Sequence, residues 1–400
     1  MPVEQHAFGG RLRAAREAEG WSRAELARRI RAVSGDTQIP GVESLISMIK
    51  GWERGRNGIS KRYEVLIKKA GLDVAPSRRA FVAAGLGLTL SGGGTGQYGE
   101  KIGMSTVSRL RERAVRLQNL DDFLGGADTY AVYAAEASGT ARLLDTAAYS
   151  TVVGRELRRL LSEQLQQAGW AAFDAGAHGQ ARGHYLDALT AAREAEDSVL
   201  VAACLAHLGY QASVVSGEGL AEATAATEAV GSGAPGPVRA LLLERQAWAH
   251  AVQGDESCVA RALGDAEAAL SQVGDQVPHW AGWVDRVELQ IMSGRCWAEL
   301  GRPVRAAPML ENALMAYPDT HARDKSLYLT WLSSAYIDGR ELERAAVVAT
   351  RALELATDVG SARPRQRIGQ LMVRFEPYAG RSDVRVLLDQ AEEWITLWFG

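Results

Sequence analysis

From residue 104 onward one pattern constrains the fold more than any other: small residues sit at fixed offsets from bulky ones, in segments about 40 positions apart. The segment GRCWAELGRPVRAAPMLENALMAYP places Gly294, Trp297, Gly301, Ala306, Leu310, Ala313 and Pro318 in this order. AGWAAFDAGAHGQARGHYLDAL repeats the offsets with Gly169, Gly176, Ala181, Tyr185 and Ala188, and WLSSAYIDGRELERAAVVATRAL does so with Leu332, Tyr336, Ala345, Ala349 and Ala352. Weaker copies run through CLAHLGYQASVVSGEGLAEA and QAWAHAVQGDESCVARALGDAEAAL. Apolar positions recur at spacings of 3 and 4, turns are marked by Gly or Pro, and strand signals are absent. The pattern predicts an all-α array of helical pairs. Small residues recur because the two helices of a pair pack closely, and large ones fill the holes between neighbours.

These offsets resemble those of tetratricopeptide (TPR) repeats, with a period longer than the usual 34 residues. The resemblance implies a TPR-like α-solenoid over residues 104–400, a sensor and dimerisation domain. Residues 104–160, with LQNLDDFLGG and VVGRELRRLLSEQL, read as a divergent N-terminal cap. AEEWITLWFG, with Trp394, Trp398 and Phe399, reads as a closing cap or dimer contact. In a TPR array the first helix of each repeat lines an inner surface. One inward position then carries Trp170, Tyr210, Trp248, Arg295 and Ser334 in successive repeats, with Glu163, Gln166, Phe173, Asp174, Glu244, Glu288 and Glu299 nearby. These are the candidate ligand-binding residues, for an effector with apolar surface and a few polar or cationic groups. VPHWAGWVDRVEL has its Trp280, Trp283, Val287 and Ile291 at core spacing, which favours packing over a binding box.

Charge divides the chain. Residues 1–80 carry 16 Lys/Arg against 9 Asp/Glu, and the remainder 29 against 39. A basic head on an acidic body is what a nucleic-acid-binding module joined to a non-binding domain shows. Within the head, Phe8, Leu12, Ala15 and Ala18 recur at helical spacing before Gly20. WSRAELARRI opens with Ser22 and Glu25, a capping box, and buries Leu26 and Ile30. After the loop SGDTQIPG, the helix VESLISMIKGWE buries Leu45, Ile49 and Trp52, with Gly55 beyond its end. Tyr63, Leu66, Ile67 and Ala70 mark a last amphipathic helix.

SRAELARRI followed by a helix ending IKGWERG resembles the helix-turn-helix domains of the phage-repressor (Cro/CI, or XRE) class, over about 65 residues. The resemblance implies a helix-turn-helix DNA-binding domain at 1–74, with an arginine–glutamate pair formed by Arg16 and Glu53. It places Ile46, Ser47, Met48, Lys50 and Gly51 in the major groove, Arg23 at the start of the preceding helix, and Arg54, Arg56, Lys61 and Arg62 on phosphates. The loop Ser34 to Gly41 is longer than the family's tight turn, so the recognition helix starts near Val42 and brings Glu43 and Ser44 towards the DNA. Ile46, Met48 and Gly51 form no bidentate bonds to base edges, so readout leans on Lys50, Ser47, thymine methyls and DNA shape.

Residues 77–94, SRRAFVAAGLGLTLSGGG, begin like a twin-arginine export signal. They follow a folded domain, the apolar part is short, and no A-x-A site follows. The segment therefore reads as a linker over 75–103, with a short apolar helix and a Gly-rich tract. GTGQYGEK is not a phosphate loop, since Glu100 separates Gly99 from Lys101 and no strand precedes it.

No apolar run approaches the ~20 residues of a membrane span. Cys204, Cys258 and Cys296 form neither a disulfide framework nor a zinc pattern, the seven histidines show no ligand spacing, and no catalytic grouping appears. Arg outnumbers Lys 39 to 6, a codon bias of GC-rich bacteria. Head and array together resemble the Gram-positive regulators that join a repressor-type head to a TPR sensor, in particular their actinomycete branch and its quorum-sensing relatives. That implies a cytoplasmic, homodimeric transcriptional regulator that binds double-stranded DNA under control of a small-molecule or peptide effector. It needs no cofactor, metal, membrane or enzymatic activity. The alternative is an adaptor whose array holds a protein partner and whose head is a docking module.

Overall fold

Alternation of apolar and polar residues at helical period makes helix the only regular element with a buried face over most of this chain. A computed structural model describes residues 12–13, 15–34, 39–54, 63, 66–67, 69–72, 99–118, 124–231, 233–272, 277–319, 321–357 and 359–399. Among them no strand occurs beyond a single bridge, Lys101 to Ala148. The chain is all-α. It parts into two compact units, Met1–Gly85 and Leu86–Gly400. Most of the expected linker at 75–103, residues 75–98, lies outside the described residues, but its end does not. Glu100 and Ile102 bond to Ala148, and Gly99 to Thr146, so residues 99–102 belong to the second unit.

In the first unit, α1 (Arg23–Ser34) and α2 (Val42–Glu53) pack on each other. Ser22 caps α1, its Oγ accepting from Glu25 N at 3.1 Å. The Glu25 carboxylate turns outward to Arg28 and Arg29, so only half of the expected capping box forms. Leu12, Leu26, Ile30, Leu45, Ile49, Trp52 and Ile67 form a closed core. Ala18, expected on the buried face, is exposed. In its place Arg16 lies buried, because Glu53 pairs with it.

The second unit opens with α3 (Met104–Gln118) and α4 (Gly126–Thr146). Helical pairs follow: α5 (Thr151–Asp174) with α6 (His178–Glu194), α7 (Ser198–Val215) with α8 (Leu220–Glu228), and α9 (Gly236–Val252) with α10 (Glu256–Leu270). Three more are α11 (Arg286–Glu299) with α12 (Pro303–Ala316), α13 (Ala322–Asp338) with α14 (Leu342–Ala356), and α15 (Ala362–Phe375) with α16 (Ser382–Phe399). From α5 to α15, the first helix of each pair also packs on the first helix of the next.

Close approach within a pair depends on the small residues. A Cβ on Gly169 would stand 2.5 Å from the Tyr185 ring, and one on Gly294 would stand 2.5 Å from Leu310 Cγ. Both contacts join positions that share offsets in the repeated segments. α7 is buried on several sides and apolar all round. Alone among the described helices it is long and apolar enough to cross a membrane by length and composition, which corrects the expectation that no run approaches that length.

Two distant parts of this unit meet. Ala127 N donates to Gly360 O at 3.1 Å, and Ser361 Oγ donates to Asp174 Oδ1 at 2.8 Å. The start of α15 is thereby fixed against α4 and α5. The 279–291 segment departs from expectation. A 3₁₀ turn at His279–Ala281 breaks the helical period, so Ala281 and Val284 are buried while Trp283 is 46% exposed. Trp394 is buried in the main core, and the side chains of Trp398 and Phe399 lie outside those described.

Candidate functional site

In the head, Glu53 at the end of α2 holds two arginines. Its Oε1 accepts from Arg16 Nε and its Oε2 from Arg23 Nε, each at 2.6 Å, and its side chain is almost wholly buried. Arg16 also donates to Trp21 O at 2.7 Å, which ties α2 to both preceding segments. Arg23 is thus bonded within the protein, although its side chain remains 36% exposed. Along α2, Ser44, Ser47, Lys50 and Arg54 are exposed, as is Glu43, and Gly51 is half-buried. Ile46 and Met48, expected in the groove, are half-buried against the head's core. Arg56, Lys61 and Arg62 lie outside the described residues, as does Gly55.

The repeat register brings its inward residues together. Trp170 on α5 stacks on Tyr210 of α7 at 6.1 Å, and Tyr210 lies 6.4 Å from Trp248 of α9. The Arg295 guanidinium of α11 sits 4.9 Å from Trp248. Ser334 of α13 continues the row beside Trp331. Phe173 meets the Tyr210 ring edge-on at 6.0 Å.

Arginines that the sequence reading missed complete the cluster. Arg245 lies over Tyr210 at 4.4 Å, Arg363 over Trp170 at 4.8 Å, and Arg367 over Trp331 at 4.3 Å; Arg295 covers Trp331 as well, at 4.2 Å. Tyr210 Oη accepts from Arg295 Nη2 at 2.7 Å and from Arg363 Nη2 at 2.9 Å. Burial works to raise the Tyr210 phenol, but the guanidiniums of Arg295, Arg363 and Arg245 outweigh it and bring it down to about 8.

A signal for some of these residues was available. Arg245 and Trp331 lie three positions before Trp248 and Ser334, hence on the same helix face. Gln370 follows Gly369 and extends the register to α15, where Arg367 again stands three positions earlier. Arg363 had no such signal, because it enters the cluster through the contact of residues 360–363 with α4 and α5.

Positive charge is in excess here. Among the described residues, Arg363 is the only one of these arginines with a carboxylate oxygen within 4.0 Å, Asp174 Oδ1 at 3.9 Å. Asp174, a candidate ligand contact, is wholly buried and already accepts from Gly126 N at 2.8 Å and from Ser361. Burial and the neighbouring Glu288 push the Glu244 carboxyl up to about 8, and neither of its oxygens has a hydrogen-bond partner. Glu288 is pushed up as well, chiefly by burial.

Two candidates lie elsewhere. Gln166 donates to Ser162 Oγ at 3.3 Å. Glu163 adjoins Arg111, Asp197, Glu156 and Arg159, and burial raises its carboxyl to about 7. Glu299 lies in a cleft of about 350 Å³ between α11, α13 and α15, with Trp331, Ser334, Arg367 and Arg374. Contrary to the histidine spacing, His250, Asp255 and Cys258 come within 4.8 Å of one another. Asp255 Oδ1 is occupied there, capping α10 through Cys258 N at 3.0 Å.

No family model matches this chain, and no curated protein sequence matches it.

Proposed function

We propose that the protein is a sequence-reading DNA-binding regulator: a helix-turn-helix head acts on double-stranded DNA as part of a homodimer, and an effector held by the TPR-like body sets its activity. One observation carries the reading, the two hydrogen bonds that Glu53 accepts from Arg16 and Arg23. It fixes α2 by its end and leaves Ser44, Ser47, Lys50 and Arg54 along one exposed edge. A helix held rigidly from behind, polar and basic in front, suits a duplex groove. The half-burial of Ile46 and Met48 narrows direct base contact to Ser44, Ser47 and Lys50. Two linked heads compensate for so few readers when the half-site spacing fits.

The test is selection of bound fragments from the organism's genome by the full-length protein at moderate salt. Lys50→Ala is expected to alter the enriched motif, and Arg54→Ala to weaken all sites alike while lowering the salt dependence. Absence of any enriched motif, with and without cell extract, would sink the reading in favour of an adaptor.

A further inference from the structure

We propose that the cleft between α11, α13 and α15 binds a small organic carboxylate, a monoanion with an apolar tail. As the effector class of the body this rests on the regulatory reading above, but the binding itself does not.

Several observations converge on that chemistry. The cleft holds about 350 Å³, the small end of ligand pockets, and opens to solvent. Its wall carries Trp331, Ser334, Arg367, Ala298 and Leu371, a mixture of donors and apolar surface. Two buried N–H groups of lining residues, Trp331 Nε1 and Arg367 Nε, lack acceptors. Unpaired buried donors of this kind are destabilising until an acceptor reaches them. What they lack is an acceptor with two lone-pair-rich oxygens in one plane, which is the shape that a guanidinium fork recognises.

Arg367 has no carboxylate within 4.0 Å among the described residues, so burial leaves its guanidinium charged without an ion-pair partner, which an incoming anion would supply. Charge in the wall also limits the ligand. Arg374 is paired with Asp338 at 2.5 Å and Glu299 stands exposed in the wall, which leaves Arg367 as the lining cation without an ion pair, matched by a ligand with a single negative charge. Ala298, Leu371 and the Trp331 indole offer the tail apolar surface in the cleft.

The test is titration of the full-length protein with benzoate and hexanoate, followed by calorimetry and by tryptophan fluorescence. Their neutral amides and inorganic phosphate serve as charge controls. At least one carboxylate is expected to bind saturably at one site per chain, and about tenfold or more tighter than its amide or phosphate. Arg367→Gln is expected to remove that difference while leaving the thermal midpoint close to wild type. If neither carboxylate binds, or if amides bind equally well to the wild-type protein, the proposal fails, whatever the variant does. Binding that leaves DNA occupancy unchanged would instead uphold the site and remove its regulatory role. Loss of DNA binding in the absence of any ligand bears on the head alone.

Discussion

The phenol oxygen of Tyr210 and the guanidinium of Arg295 lie 2.7 Å apart in the core of the helical body, 85 residues apart in sequence. Because Arg363 donates to the same oxygen, the phenolate is favoured despite burial, and Tyr210 should ionise near pH 8 rather than 10. The folded value lies below the unfolded one, so the stabilisation is complete above pH 10 and is lost as pH falls through about 8. Difference absorbance of phenolate, wild type against Tyr210→Phe, should show one tyrosine titrating about two units early. The stability gap between the two proteins should widen from pH 8 to 10.

Glu244 should behave in the opposite sense. Its carboxyl is raised by burial to about 8, so its contribution is present below the unfolded value of 4.5 and lost as pH rises towards 8. Glu244→Gln keeps the shape and removes the charge. The variant should match wild type near pH 4.5 and gain on it by at most about 1.4 kcal/mol per unit up to pH 8, then hold level. Denaturant midpoints at four or five pH values measure this. A flat difference across the range would place the ionised form in the folded protein.

Helical glycines should divide by what faces them. Gly294→Ala drives a Cβ into Leu310 and should cost about 1–3 kcal/mol, recovered in part by Leu310→Val. Gly183→Ala, on the exposed face of α6 with nothing within 4 Å, should stabilise by about 0.5–1 kcal/mol. Thermal melts of the three variants are sufficient.

In the head, Glu53→Ala removes the buried carboxylate of Arg16 and leaves it only the exposed Glu17, 3.3 Å away. A cost of about 3 kcal/mol follows for a buried charge that loses its main partner. Arg23→Ala, whose side chain is partly solvated, should cost less than about 1 kcal/mol. Hydrogen exchange at α1 and α2 separates the two.

Much of this architecture was legible because it is periodic. Leu45, Ile49 and Trp52 announce their burial by spacing alone. The Gly-Trp, Gly-Tyr and Gly-Arg pairs at 169, 209 and 294 mark both the close face and the face beside it. Other features depend on contacts between residues far apart in the chain. Trp283 fits a helical period that the 3₁₀ turn interrupts. Arg363 reaches Tyr210 only because the segment before α15 returns to α5. The Arg23 bond to Glu53 spans 30 residues and competes with solvent, which local pattern does not reveal. Glu244 and Asp174, expected on an inner surface open to a ligand, are instead wholly buried by those distant contacts.

The meeting of Gly125 and Gly360 has a consequence for how this protein can be cut and spliced. In an open array of helical pairs, each unit touches only its neighbours, so removing one shortens the array and leaves the rest intact. Here the backbone of Gly360 rests on that of Gly125, and Asp174 reaches Ser361 across the same seam. The pairs between them act as a spacer of fixed length, like the band of a clasped bracelet. Deleting any one of them would misalign the fastening and release α15 with the arginines it carries.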